Sequence, residues 1–260
     1  MGIGMALNSE KELAQLQKRL KELADKSYRQ NVFTFSSFLG MAELDVYYRM
    51  EKDLLFSHPA LFGGDEEAER KVVRFGSPEE LGYEEEYPIS CIHVKPSAVK
   101  FSDDFSHRDF LGALMNLGIE RDCIGDIRVG DREGYLYCLS SMAEFICENL
   151  VQIKHTHVGC EVTGRMDTAK RDEPKSVEVQ VSSLRIDGCL SKVYHISRAE
   201  SIALFRGGKV YVDGRLAENN SRMWKPGEVV NVRGFGKLVF KEVKYETKKG
   251  KICLAMDMYR

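Results

Sequence analysis

Leu184-Arg185-Ile186-Asp187, Ser197-Arg198-Ala199-Glu200, Gly207-Gly208-Lys209-Val210-Tyr211-Val212-Asp213-Gly214 and Lys225-Pro226-Gly227-Glu228-Val229-Val230-Asn231-Val232 follow one another in the C-terminal third of the chain. Their order sets the fold of that third. Asp187 is placed to cap a short apolar helix reaching Val193. Ser197-Arg198-Ala199-Glu200 has the S-x-x-E form of a capping box, in which serine and glutamate satisfy orphan amides at a helix start. That helix would carry Ile202, Leu204 and Phe205 inward and stop at Gly207-Gly208, where glycine accepts a left-handed cap. Lys209–Val212 then reads as a strand, Asp213-Gly214 as a two-residue hairpin turn, and Pro226-Gly227 as the turn into Val229–Val232.

Arg185-x-Asp187, Ser197-Arg198, Lys209-Val210, Val212-x-Gly214 and Pro226-Gly227-Glu228 stand in the order and spacing of the S-four RNA-binding domain, which this stretch resembles. The resemblance implies binding of structured RNA through the second short helix and the hairpin. On that reading Arg185, Arg198, Lys209, Arg215, Arg233 and Lys237 supply phosphate contacts, and Ser197 and Ser201 donate hydrogen bonds. Asp213 departs from the family, which often has Asn there, and an acid at that place weakens a phosphate contact.

Charge supports the division. Residues 182–260 hold 16 Lys and Arg against 8 Asp and Glu, whereas residues 1–181 hold 22 against 32. Only the C-terminal part has the electrostatic footprint of a nucleic-acid binder. The 260 residues, 43% hydrophobic and 30% charged, fit a folded protein of two or three modules. No window approaches the ~18 apolar residues of a membrane span, and Met1-Gly2-Ile3-Gly4 is too short and uncharged for a secretory leader, so a cytoplasmic protein is expected. Seven scattered cysteines without a C-x-x-C pair argue for reduced, buried thiols.

Outward from the basic third, residues 164–181 read as a polar linker and connecting strand. Residues 88–163 give the order βαββαβ, a ferredoxin-like arrangement: a strand at Ile89–Val94, a helix capped at Ser106, a hairpin across Gly130–Gly134, a helix capped at Ser141, and a last strand opening at Val151. RRM-type RNA binders share that order and stack bases on aromatics of an open sheet face. Tyr135 and Tyr137 share a face, with His93 on a neighbouring strand; they divide evenly between an RNA platform and cross-strand packing. Arg108, at a helix first turn, offers a further phosphate contact. Residues 53–87 read as short strands, including Leu54-Leu55-Phe56, around an acidic loop. Residues 1–52 form a helical region: one helix capped at Ser9 with Leu13, Leu16, Leu20 and Leu23 on a face, and a second starting near Ser36 or Ser37. The fold class is therefore α+β, with a helical N-terminal region, a central plait and a C-terminal S-four-type domain.

Beyond the single module, the chain resembles the YlmH family of bacterial S-four proteins, on Gly63-Gly64 with Glu67–Lys71, His107–Leu114, Leu117–Asp122, Ile124–Ile127 and Arg233-Gly234-Phe235-Gly236. That resemblance implies a ribosome-associated quality-control factor engaging large subunits obstructed by peptidyl-tRNA, with rRNA and tRNA as partners and neither DNA nor membrane. The residues exclude some chemistries. His107-Arg108-Asp109 lacks the Asn of a kinase loop, because Leu114 stands five residues after Asp109. His155 and His157 on one strand face lack a third ligand, so no metal and no cofactor is assigned. Arg185-Ile186-Asp187 is similar to the motif around a pseudouridine synthase's catalytic aspartate, but in those enzymes a binding module of this type usually precedes a separate catalytic domain, whereas here only a short tail follows the module, which favours a helix cap over an enzyme. RNA modification, or a ribosome-linked adaptor using the N-terminal helices, are the competing readings.

Overall fold

The computed structural model describes residues 2–98, 102–130, 132–164 and 174–259, with side chains from residue 11 onward. It is a mixed α/β protein with several sheets, in two compact units, Met1–Arg171 and Asp172–Arg260. Most of the expected linker, residues 165–173, lies outside the described residues.

The first unit begins with α1 (Gly2–Gln30), β1 (Thr34–Phe35) and α2 (Met41–Leu54). Helix α1 runs through Ser9, so the S-x-x-E pattern there does not mark its start. Leu20, Leu23 and Ala24 of α1 bury against Leu44 and Tyr47 of α2, each large aliphatic contributing roughly 1.5–3 kcal/mol of burial. Helix α2 begins five residues later than Ser36, because Ser36 and Leu39 bond the backbone of residues 73 and 71 in extended form. Leu54-Leu55-Phe56 is no strand: Leu54 ends α2 and Leu55–Ser57 makes one further tight turn. The small sheet is instead β2 (Ala60–Phe62), β3 (Val72–Phe75) and β1, in the order β1-β3-β2. A short helix α3 (Pro78–Leu81), capped by Ser77, leads out of it.

Next come β4 (Ile89–Pro96), α4 (His107–Asn116), β5 (Ile124–Val129), β6 (Gly134–Leu139), α5 (Ser140–Asn149), β7 (Gln152–Ile153) and β8 (Thr156–Thr163). The strands pair antiparallel in the order β5-β6-β4-β8-β7. One face buries Ile92, Val94 and Leu136 against Phe110 and Leu114 of α4 and Ile146 of α5. The Ser106 capping box forms, with reciprocal bonds to Asp109. Ser141 does not cap α5: Leu139 occupies the cap position and makes no side-chain bond. His155 falls in the turn before β8, not beside His157 on the strand.

The second unit is a sheet ordered β11-β10-β12-β13-β14-β9, from β9 (Lys175–Val181), β10 (Val210–Val212), β11 (Arg215–Leu216), β12 (Val229–Val232), β13 (Gly236–Glu246) and β14 (Ile252–Tyr259). Helices α6 (Ile186–Val193) and α7 (Arg198–Arg206) bury Ile186, Leu190, Leu204 and Phe205 with Val210, Phe240 and Met256 of the sheet. Trp224 is fully buried here, its indole N–H donating to the Glu228 carbonyl at 3.3 Å. The connecting strand of the sequence reading is thus an edge strand of this sheet, paired to β14 from Lys175 to Val181. Burial pushes the thiols of Cys91, Cys138, Cys160 and Cys189 up to about 12, which keeps them protonated. Among the described residues no helix is long and apolar enough to cross a membrane.

Candidate nucleic-acid interface

Asp187 does not cap α6. Arg185 holds the cap position without a side-chain capping bond, and Asp187 sits inside the first turn with 0% exposure. A buried carboxylate needs partners, and this one has several. Arg185 approaches through Nε at 3.2 Å and one terminal nitrogen at 2.8 Å, Arg198 through a terminal nitrogen at 3.3 Å, the Asn220 amide at 2.8 Å and the Gly188 backbone N–H at 2.7 Å. Burial alone would raise the Asp187 pKa; the bonds from Arg185 and Asn220, the charge of Arg198 and the Gly188 amide outweigh it and hold the carboxyl below its usual range. Both guanidinium groups remain partly open, with side-chain exposures of 37% for Arg185 and 56% for Arg198. One carboxylate thus fixes two cations side by side at the surface.

The capping box of α7 forms as expected: Ser197 Oγ accepts from the Glu200 amide at 3.1 Å, and Glu200 accepts from the Ser197 amide at 2.7 Å. Arg198 is therefore the first residue of a fixed helix start. Ser201 is no RNA donor: it is fully buried, and its hydroxyl donates to the Asp187 carbonyl at 2.8 Å, tying α7 to α6. Asp213 and Gly214 adopt φ of 49° and 77°, the left-handed pair that a two-residue turn requires. The Asp213 carboxylate accepts from the Val229 amide at 2.9 Å, a role in which Asp and Asn are equivalent. Lys209 and Arg215 flank that hairpin as exposed side chains. Arg233 lies over the Tyr211 ring at 5.4 Å and Lys237 over Tyr259 at 4.7 Å, which steadies both cations without neutralising them. Gly234 and Gly236, at φ of 85° and 107°, help form the tight turn Arg233–Phe235 between β12 and β13, and Lys237 follows on β13, opposite Asn231. Glu228, the acid after Pro226-Gly227, pairs with Arg222 and accepts from the Lys225 amide, so it closes its own turn.

Of the second surface expected in the central sheet, Tyr137 is covered while His93 and Tyr135 are half-buried. Tyr137 is 3% exposed, packed with Phe38, Val72 and Cys91. Its hydroxyl reaches Asp65 at 3.4 Å, and Asp65 also pairs with Arg128. A Cβ on Gly64 would stand 2.5 Å from the Tyr137 ring, and Gly125 lies against the same side chain. Tyr135 stacks on His93 at 4.3 Å, and His93 in turn lies between Glu133 and Glu161. Neither tyrosine is presented as an open stacking platform. Arg108 stays exposed at the start of α4.

The covering accounts for sequence features that carried no site. Asp126 accepts from the Glu69 and Arg70 amides at 2.7 and 3.0 Å. Burial pushes the Asp126 carboxyl up, while those two amides pull it down. The Arg70 guanidinium donates to the carbonyls of Ile124, Phe38 and Arg121 at 2.8, 3.1 and 3.1 Å. Gly63–Lys71 and Arg121–Asp126 are thus the two halves of one internal clamp. The sequence reading missed Asn220 and the anchoring role of Asp187; Asn219-Asn220 stands in the polar run Glu218–Arg222, which gives no local sign that one amide reaches a buried carboxylate.

Known proteins align with this chain. Residues 83–166 match the family model described as "Putative RNA-binding domain in YlmH". A Bacillus subtilis (strain 168) protein named "Ribosome-associated protein quality control protein P2" is 32% identical over 200 residues, covering 74% of each chain. The solved structure of "Cell division protein ylmH from Streptococcus pneumoniae" superposes with a TM-score of 0.47 at 18% identity, covering 62% of this chain and 95% of that one.

Proposed function

The chain belongs to the YlmH family, and from that membership we propose that it is a non-enzymatic RNA-binding protein of the large ribosomal subunit, gripping rRNA or peptidyl-tRNA in ribosome quality control. The C-terminal sheet with α6 and α7 acts as an S-four-type module, and the central five-stranded sheet is a ferredoxin-like plait. The observation that carries this reading is the arginine pair held by buried Asp187. Two guanidinium groups fixed before binding lose little side-chain freedom when they meet a phosphate. Arg233 and Lys237, each seated on a tyrosine, extend the same kind of contact.

Phosphate contacts of this kind give affinity and register without reading base sequence. Shape recognition of a folded RNA is the matching substrate chemistry. The same geometry speaks against a pseudouridine-synthase-like role for Asp187, since a carboxylate with 0% exposure, bonded by Arg185 and Asn220, is not placed to attack a base.

The test is a pair of measurements on the full chain. Wild-type protein should sediment with large ribosomal subunits through a sucrose gradient. Arg198→Ala should weaken binding to structured RNAs of different sequence by a similar factor and make the plot of log affinity against log salt shallower by about one. An unchanged affinity and slope would remove Arg198 from the interface, and nucleosides modified by the purified protein would replace the binding reading with an enzymatic one.

A further inference from the structure

Strands β13 and β14 run on past the end of β12. Strand β12 pairs with β13 only from Gly236 to Val239, and backbone bonds of Phe240 with Gly227 and Glu228 close that contact. From Lys241 to Glu246 the only strand beside β13 among the described residues is β14, and all six of these residues are exposed. Past the last pair, Glu246 with Ile252, the chain reverses through Thr247–Lys251.

That turn is built. The Thr247 amide donates to the Lys251 carbonyl at 2.7 Å and the Gly250 amide to the Thr247 carbonyl at 2.9 Å. The Lys251 amide donates to Thr247 Oγ1 at 3.0 Å, and Gly250 takes φ of 72°, which favours glycine. Its rim displays Lys248, Lys249 and Lys251, all exposed.

Lysines on the strand below behave differently. Lys241 is neutralised by Asp257 at 2.8 Å, and Lys244 by Glu178. The three tip lysines meet no acidic partner among the described residues. Tyr245, half exposed, stands on β13 two residues before the turn. Glu246 is the one acid next to the turn. Charge is cancelled along the strand and left standing at the tip.

We propose that the β13–β14 turn is a second nucleic-acid contact, in which Lys248, Lys249 and Lys251 meet backbone phosphates of the RNA held by the Arg185–Arg198 face. It rests on the RNA-binding reading given above and lengthens the footprint. Lysine at an exposed turn delivers a point charge with no bidentate geometry, so the contact adds affinity and salt dependence but no base preference. A turn with fixed backbone bonds spares part of the ordering entropy that a flexible lysine tail loses on binding.

The experiment uses the full chain and a fluorescent RNA stem-loop with single-stranded flanks, titrated by anisotropy over a range of salt. The variant carries Lys248→Ala, Lys249→Ala and Lys251→Ala together; a companion variant carries arginine at the same three positions. The alanine variant should bind roughly tenfold more weakly near physiological salt, with a slope shallower by about two to three, and the arginine variant should bind like wild type. Thermal unfolding of all three proteins should coincide, because these side chains bury nothing. Wild-type affinity and slope in the alanine variant would overturn the inference while leaving the Arg198 result intact. A wild-type protein that binds no RNA would overturn the functional reading and this inference with it.

Discussion

The central sheet of the first unit and the sheet of the second hold similar residues and use them in opposite ways. Both place tyrosines beside arginines. In the first unit Tyr137 is buried under Gly64 and Gly125, Arg128 stands opposite Tyr135 and is paired with Asp65, and Arg70, outside the sheet, donates three bonds to backbone carbonyls. In the second, Arg233 lies over Tyr211 with its guanidinium outward, and Arg198 leans on Asp187 while more than half exposed. A largely buried arginine that gives three hydrogen bonds to backbone carbonyls is a clamp; one steadied by a ring or a single carboxylate at the surface still has donors for a ligand. Residue type does not separate these roles, and burial does.

The largest break in that contrast comes from the clamp. Arg70→Ala removes charge-assisted bonds to Ile124, Phe38 and Arg121 and leaves those acceptors in a half-dry site, so the first unit should lose about 3 kcal/mol of stability in urea unfolding. RNA affinity, measured on the folded protein, should not change. Gly64→Ala comes next. Its φ of 107° disfavours any side chain and its Cβ would overlap the Tyr137 ring, a cost of about 2 kcal/mol. If both variants unfold like wild type, the covered face is not held as described.

The smallest effect sharpens the other side of the contrast. The Asp187 carboxyl is held below its usual range, so its contribution to stability is present above the unfolded pKa of ~3.9 and is lost as pH falls through the folded value. Asp187→Asn keeps the shape and an acceptor but not the charge. It should lose roughly 1 kcal/mol at neutral pH, since both arginines keep water, and its stability should fall less steeply than wild type as pH drops below the ordinary carboxylate range. RNA binding by this variant should weaken with little change in salt slope, because the two cations remain and only their placement is lost. A slope reduced as far as in Arg198→Ala would mean that Asp187 does more than place them.

Much of the fold was legible because its signals are local. The capping boxes at Ser106 and Ser197 and the Asp213-Gly214 turn each need only neighbours a few residues away, and each formed as read. The pattern at Ser9 failed because nothing local stops a helix from continuing through a serine, and the start near Ser36 failed because Ser36 and Leu39 found partners in residues 73 and 71. Those bonds span more than thirty positions in the chain and leave no mark in either segment's periodicity.

For the candidate site the division is the same. By itself the sequence determined which cations cluster in the last 79 residues, which turns carry them and which family they resemble. Only the tertiary structure decided that Asp187 is an anchor, that Ser201 is buried beneath it, and that Tyr137 is covered from the other side of its sheet. Charge and turn preference belong to a residue and its neighbours, so they survive in the sequence. Burial belongs to what the rest of the chain lays over a residue, and that exists only after folding.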